Sequence, residues 1–235
     1  MTRLATIGEL RAKGTRGDLG DRVFQALRDG IINGSIAPGQ RLVELAICEW
    51  LDVSRTPARD ALRRLQSSGL AEAAPGGGLQ VAQYDVNALY ELYLVREVLE
   101  GTAAAEAARN ASPAETLALE ESVERQRGMS RNIQAFTGEN KHFHDRLYEA
   151  AHNRFLVRTL QSLTDSVSLL GPTAIDTAEW VKHATGQHAR ITEAIGRRDS
   201  EGAAEAMRQH MRDGFQRRLA ALKKNIAPKR QVTPA

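Results

Sequence analysis

Hydrophobic residues in the first third of the chain recur at intervals of three and four, and turn residues divide them into short segments. This spacing predicts one helix over residues 21–32 and a short second helix over residues 43–51. Ser54 is placed to cap a third helix, and Pro57 falls in its first turn, where a missing amide donor costs little. The chain is therefore predicted to begin with three short helices.

The third predicted helix separates an apolar face from a basic face. Arg55, Arg59 and Arg63 are four residues apart and lie together on one side. Another side carries apolar residues at helical spacing, namely Ala58, Ala61, Leu62 and Leu65. This helix is expected to bury its apolar side and to expose its arginines.

Two short predicted strands follow, over residues 70–74 and 79–82. Pro75-Gly76-Gly77-Gly78 joins them and is typical of a hairpin turn. Three short helices followed by a hairpin indicate a winged helix-turn-helix. The alternative is an amphipathic surface helix beside a flexible loop. This alternative does not explain why three helices and a hairpin follow one another in this order.

From Tyr84 onward the hydrophobic period is helical, without a strand signal. Asp85 is placed to cap a long helix, and Ser112-Pro113-Ala114-Glu115 has the sequence of a capping box. Asn153 and Asp199 are further candidate caps. About six helices are predicted, which indicates an all-α bundle. The predicted fold is mainly α, with a winged helix-turn-helix domain over 1–82 and a helical domain over 83–235.

Composition narrows the class of protein. The chain has 235 residues, and its formal net charge is only +3. No apolar run approaches the roughly 18 residues that span a bilayer, and the start of the chain shows no signal-peptide pattern. Cys48 is the single cysteine, which excludes an intramolecular disulfide and a cysteine-based zinc site. We expect a cytoplasmic protein.

The distribution of charge is more informative than its sum. Residues 53–65 contain four arginines and one aspartate, whereas residues 83–222 contain 17 basic and 20 acidic residues. A basic surface joined to a mildly acidic domain suits a protein with two functions, one of which is nucleic-acid binding.

Three histidines on different predicted helices are candidate metal ligands. His144, His188 and His210 each fall on the apolar stripe of their helix, so the three are able to converge inside the bundle. Neutral imidazoles suit a divalent transition metal and leave coordination positions for a small ligand. Taken singly, each is more often a hydrogen-bonded core residue.

Arg96 is a candidate ligand-binding residue, because it shares a stripe with apolar residues and its head is expected inside the bundle. One interpretation is a simple ion pair with Glu100, one turn on. The other is a guanidinium fork for the carboxylate of an effector. Tyr148 and Trp180 are candidates to line the same cavity, although aromatic residues in bundles are usually core.

Several segments resemble the GntR superfamily of bacterial regulators. SRTPARDALRRL and SSGLAEAAPGGG are similar to its recognition helix and wing, and GSIAPGQRL to the preceding turn. The helical region resembles the FadR-type effector domain called FCD through LVREVLEGTAAAEAA, NKHFHDRLYEAAHN and QHARITEAIGRRDSEGAAEAMRQH. Together these segments cover nearly the whole chain. The resemblance implies an effector-responsive transcriptional regulator, not an enzyme.

For DNA, the resemblance places Arg55 and Arg59 at the main contact positions, with Thr56 nearby. The wing tip would approach the minor groove. Gly77 stands where the wing often has a basic residue, and Leu45 where many relatives are polar or basic, so fewer wing contacts are expected. The full predicted DNA-binding set is Ser54, Arg55, Thr56, Arg59, Arg63 and Gly77.

For the helical domain, the resemblance implies a metal site in which an acidic residue precedes the first histidine by four positions. Asn140 occupies that position here, so the predicted ligands are Asn140, His144, His188 and His210. Zinc is the expected metal, with nickel or manganese as alternatives. The expected partners are a palindromic double-stranded operator, a second copy of the chain and a small organic or sugar acid that relieves repression.

Two other classes stay open at this point. A metal-dependent hydrolase would use the histidines to activate water, with Glu100 or Glu139 as base. An architectural DNA-binding protein would bind with little sequence dependence and no effector.

Overall fold

The computed structural model describes residues 19–168 and 177–226. These residues form two compact units. One contains residues 19–84 together with 164–168, and the other contains residues 85–163 together with 177–226. None of the helices in these ranges is both long enough and apolar enough to span a membrane.

The first unit has three helices and a small antiparallel sheet, as predicted. Its strand order is β1-β3-β2. The helices are α1 Leu19–Ile32, α2 Glu44–Leu51 and α3 Arg55–Ser67, and the strands are β1 Arg41–Leu42, β2 Ala71–Ala73 and β3 Leu79–Val81. The four apolar residues predicted for the inner side of α3 are all buried.

The sheet differs from the predicted hairpin by one strand. β1 adds to the hairpin through the register Arg41–Gln80 and Leu42–Leu79. Two residues are too few to show the alternation that identifies a strand in a sequence. This strand places Arg41 beside the wing.

Ser54 stands at the N-cap of α3 with extended backbone, but its side chain makes no capping hydrogen bond. The prediction that Ser54 caps the helix is therefore right in position and wrong in interaction. Ser54 is exposed. In the turn before it, Asp52 adopts a φ of 49° and its N–H donates to the Cys48 carbonyl.

The second unit is built from helices alone. They are α4 Val86–Asn110, α5 Pro113–Arg127, α6 Ile133–Ala150, residues 154–163 of α7 Arg154–Ser168, α8 Ala178–Gly196 and α9 Ser200–Ile226. The predicted caps form: Asp85 Oδ1 accepts from the Ala88 N–H at 2.8 Å, and Ser112 and Glu115 form a capping box. Asn153 and Asp199 likewise accept backbone N–H bonds at the starts of α7 and α9.

Small residues let α4 and α9 pack closely. Ala103, Ala104 and Ala107 of α4 are fully buried. A Cβ atom at Gly101 would lie 2.9 Å from Arg208 Cγ and 3.4 Å from the Ala204 carbonyl oxygen. This close packing gives the inner face of α4 access to the same core as α6, α8 and α9.

Candidate metal centre and DNA-binding face

The three histidines meet inside the helical unit. His144 lies on α6, His188 on α8 and His210 on α9, and all three are buried. His210 Nε2 lies 3.2 Å from His188 Nε2 and 3.4 Å from His144 Nε2. The predicted convergence of the histidines is therefore observed.

The outer ring nitrogens face hydrogen-bond acceptors. His188 Nδ1 lies 2.7 Å from Gln126 Oε1, His210 Nδ1 lies 2.8 Å from Gln187 Oε1, and His144 Nδ1 lies 3.0 Å from a Glu100 oxygen. A carbonyl or carboxylate oxygen next to Nδ1 favours the tautomer with the proton on that atom. The Nε2 lone pairs are then directed towards one another.

The orientation of the Gln187 amide is fixed from its other end. Its Nε2 group donates to Asp213 Oδ2 at 2.7 Å, which obliges Oε1 to face His210. Asp213 also contacts the Nε2 atom of the exposed His183 at 2.9 Å. A chain of three polar contacts thus runs from the surface of the helical unit to the histidine cluster.

This donor set fits a divalent transition metal. Imidazole nitrogens bound at about 2.0–2.1 Å lie about 2.9 to 3.4 Å apart, depending on the coordination angle. Burial lowers the pKa of His188 well below its ordinary value, and burial together with His144 lowers the pKa of His210 to about 3. Both are therefore neutral at pH 7, as a metal ligand must be.

Asn140 lies on α6 one turn before His144 and is half-buried. This spacing places it on the same side of the helix as His144. Its role as a fourth ligand stays a prediction. His142, two residues before His144 on the same helix, is exposed.

Arg96 and Glu100 form a buried ion pair beside the histidines. Arg96 Nε and Nη2 lie 2.8 and 2.7 Å from Glu100 Oε1, and the guanidinium lies over the Tyr93 ring at 4.8 Å. Burial alone would raise the pKa of Glu100, but Arg96 and His144 lower this pKa to about 2. The sequence paired Glu100 with Arg96 but missed its contact with His144.

The two aromatic candidates lie in different places. Tyr148 is buried, and its hydroxyl lies 3.5 Å from His144 Nδ1. Trp180 precedes His188 by eight residues on α8, which is about 12 Å along the helix axis. Its ring stacks on His183 at 5.1 Å. A small ligand at the histidines would therefore contact Tyr148 more readily than Trp180.

Glu100 and Glu139, the two carboxylates considered as a catalytic base, are both paired with other side chains. Glu100 is bound to Arg96. Glu139 accepts from the Ser122 hydroxyl at 2.6 Å and from Arg125 Nη2 at 3.0 Å.

The predicted DNA-binding residues of α3 lie on an exposed surface. Ser54, Arg55, Thr56, Arg59 and Arg63 are all exposed. Glu44 of α2, which the sequence analysis missed, contacts two of them: its carboxylate lies 2.6 Å from Arg59 Nε and 3.8 Å from Arg55 Nε. Leu45 beside it is 54% exposed.

The wing tip is held by an arginine from outside the hairpin. Gly76, Gly77 and Gly78 have positive φ values of 82°, 94° and 79°. Arg41 of β1 donates from Nη1 to the Gly77 carbonyl at 2.6 Å and from Nη2 to the Pro75 carbonyl. Gly77 is exposed, as a residue at the tip of a wing is expected to be.

A winged helix-turn-helix joined to a helical unit with a buried polar cluster defines the class of one-chain, ligand-responsive DNA-binding regulators. The family model described as bacterial regulatory proteins, gntR family, matches residues 19–81. The FCD domain model matches residues 91–213. The chain belongs to the GntR family of bacterial transcriptional regulators and carries an FCD effector-binding domain.

Individual relatives agree with this assignment. The Glc operon transcriptional activator of Escherichia coli K12 is 31% identical over 215 residues, covering 81% of this chain and 85% of the relative. The transcriptional repressor RspR of the same strain is 25% identical over 194 residues, covering 82% and 85%. A solved putative GntR regulator from Rhodococcus sp. RHA1 has the same fold, with a TM-score of 0.70, 23% identity and coverage of 86% and 98%.

Acid should destabilise the metal-free protein between about pH 6.5 and pH 5. Burial lowers the pKa of His188 and His210 in the folded chain. The unfolded chain therefore binds more protons in this range, and the free energy of unfolding falls as the pH falls. Each histidine contributes up to about 1.4 kcal/mol per pH unit.

Denaturant titrations in the presence of chelator measure this slope. His210→Gln should flatten it, whereas His142→Gln, at an exposed position of α6, should not. A slope that is the same in His210→Gln and in the unmodified protein would show that the buried histidine does not set the acid sensitivity.

Proposed function

We propose that this regulator is a repressor that binds palindromic operator DNA as a homodimer and leaves it when a small organic or sugar acid binds at a metal centre. The observation that carries the proposal is the convergence of three imidazole rings. Their Nε2 atoms lie close together, and their Nδ1 atoms face oxygen acceptors. An all-helical core does not need this arrangement for packing.

In the proposed centre, His144, His188 and His210 hold the metal, with Asn140 as a further ligand. Zinc is the first candidate, and nickel or manganese are alternatives. A bound divalent ion supplies a Lewis-acidic position for a carboxylate oxygen. Gln126, Gln187 and Glu100 keep the three rings in the required tautomer.

The charges near the centre favour an anionic effector. The imidazoles are neutral ligands, and the charge of Glu100 is compensated by Arg96. The positive charge of a divalent ion is therefore not neutralised by these groups, and an acid provides the missing negative charge. Glu100 occupies two of the five N–H groups of Arg96, which leaves others for a ligand carboxylate. Tyr148 would line this pocket, and Trp180 would contact only a longer effector.

On DNA, Arg55 and Arg59 are proposed to read base edges in the major groove, where an arginine fork matches guanine O6 and N7. Arg63, Thr56 and Ser54 are proposed to contact phosphates or nearby base edges, and Gly77 the backbone at the wing. Glu44 holds Arg59 and Arg55 in the free protein. To contact DNA bases, these two arginines must therefore give up their carboxylate partner. This favours DNA sites whose base edges offer good hydrogen-bond acceptors.

An apolar stripe on the outer face of α4 supports the homodimer. Four of its residues at spacing i, i+4 are between 36% and 59% exposed, namely Val86, Tyr90, Leu94 and Val98. A second copy of the chain would cover this stripe. Two winged helices related by a dyad then read the two halves of a palindrome.

The same helix joins the proposed dimer surface to the proposed ligand site. Leu94 and Val98 of α4 are exposed, while Arg96 pairs with Glu100, which in turn contacts His144. An acid that rearranges the Arg96–Glu100 pair therefore acts on the helix that sets the dimer geometry. For this to regulate DNA binding, the acid must bind one dimer geometry more tightly than the other.

The substitution Arg59→Ala should weaken specific operator binding by roughly 1–3 kcal/mol, because it removes one bidentate base contact. Fluorescence anisotropy with an operator fragment and a scrambled fragment measures the loss. Arg197→Ala, at an exposed position of the helical unit, is the matched control and should bind as the unmodified protein does. Equal operator affinity for both variants would show that Arg59 does not contact the operator bases.

A carboxylate effector should raise the thermal stability only when metal is present. A ligand at about 100 times its dissociation constant adds roughly 2.7 kcal/mol to the free energy of unfolding. The experiment compares a panel of organic and sugar acids with zinc and with chelator. His210→Gln should abolish the metal dependence, and His142→Gln should keep it.

The outcomes of this experiment separate the metal from the effector. Stabilisation by acids that is unaffected by chelator would contradict the metal centre and leave Arg96 as the binding group. The operator assay, repeated with the stabilising acid, then tests the direction of regulation: release supports repression, and tighter binding contradicts it.

The substitution Leu94→Asp should convert the dimer to monomers, because it places a charge in the centre of the apolar stripe. Light scattering coupled to size exclusion measures the mass. Leu117→Asp on α5 is the matched control, since Leu117 is 54% exposed and Leu94 is 51% exposed. A dimer that survives Leu94→Asp but not Leu117→Asp would move the interface to α5.

A further inference from the structure

The groove between α3 and the wing has an apolar floor, and its sides carry three arginines and one carboxylate. Two adjoining depressions share Leu62 and Leu79 as their floor. Arg59 and Arg63 of α3 line one of them, and Arg41 of β1 lines the other together with Gly78 and with Glu44, the carboxylate that pairs with Arg59 and Arg55. The groove therefore has arginines on the side of the recognition helix and on the side of the wing.

Arg41 is fixed in place by the wing backbone. Its Nη1 group donates to the Gly77 carbonyl at 2.6 Å, and its Nη2 group donates to the Pro75 carbonyl. The guanidinium also lies against Gly76 and Gly78, where a Cβ atom would be 3.6 Å from one of its nitrogens, an ordinary contact distance. The side chain is exposed, but its direction is set by these two carbonyls.

These contacts orient Arg41 without neutralising it. A backbone carbonyl carries no net charge, so the guanidinium keeps its full charge at the wing tip. The ion pairs seen in the described ranges include none for Arg41, whereas each arginine of α3 has a carboxylate partner. Those pairs are Arg55 and Arg59 with Glu44, Arg63 with Asp60, and Arg64 with Asp21.

We propose that Arg41 is a DNA-contacting residue, which binds a backbone phosphate beside the minor groove while it holds the wing tip. In this arrangement β1 supplies the cation that the sequence Pro75-Gly76-Gly77-Gly78 lacks. One sugar-phosphate strand lies in the groove between Arg41 and the arginines of α3. Guanidinium and phosphate form strong charge-assisted hydrogen bonds, and Arg41 has N–H groups beyond the two that the carbonyls use. The inference rests on the proposed DNA-binding function.

The test is the salt dependence of DNA binding by the full-length protein. Each phosphate contact contributes about 0.9 to the slope of log affinity against log salt concentration. Arg41→Gln should therefore lower the slope by about 1.8 for a dimer. It should weaken binding to operator and to unrelated DNA by a similar factor, because a phosphate contact carries no base sequence. Arg197→Gln is the control and should leave the slope unchanged.

A second variant separates charge from the shape of the wing. Arg41→Lys keeps the cation but loses the fork that binds two carbonyls, so it should recover most of the slope. If Arg41→Lys behaves as Arg41→Gln does, or if Arg41→Gln binds with an unchanged slope, the inference is overturned. Failure of the unmodified protein to prefer its operator would instead overturn the proposed function, which keeps the two results distinct.

Discussion

The hydrogen bonds at the outer nitrogens of the three histidines are the constraint on which the helical unit depends. A neutral imidazole has one donor and one acceptor, so an Nδ1–H group that donates outward leaves a lone pair pointing inward. Gln126 and Gln187 accept two of these bonds, and a Glu100 oxygen lies 3.0 Å from the third nitrogen, on His144. The helices must hold six positions on α4, α5, α6, α8 and α9 in register for this to occur, and the close packing at Gly101 contributes to that register. Without a cation, the three lone pairs would face one another in the buried interior of the unit.

The glutamate in this set has a different role from the two glutamines. Glu100 is fully buried and contacts both Arg96 and His144. A charge in this position would be costly alone, but the arginine compensates it at a distance of 2.7 Å. The pair connects the proposed metal site to the proposed effector site within a single turn of α4. A ligand that competes for Arg96 therefore also changes the surroundings of His144.

Local periodicity was sufficient to predict the helices of both units and the convergence of the histidines, because the apolar stripes that carry the three histidines face the core. It was insufficient wherever a contact joins residues that are distant in the sequence. Arg41 and Gly77 are 36 residues apart, and His188 and Gln126 are 62 apart. A buried glutamine also resembles a surface residue in a hydrophobicity pattern, so Gln126 and Gln187 gave no signal. Ser54 does occupy the N-cap position that its sequence context predicts, although its side chain makes no capping hydrogen bond.

The glycines of the wing tip restrict how this family member can change over evolutionary time. At Gly77, with a φ of 94°, any residue with a Cβ atom would adopt a conformation that costs roughly 1–3 kcal/mol. A lysine at the tip, acquired by substitution in place, would therefore weaken the loop that presents it. A codon change on the neighbouring strand carries no such penalty, because extended backbone accepts any side chain. The wing of this lineage is thus more free to gain or lose basic charge through β1 than through its own turn.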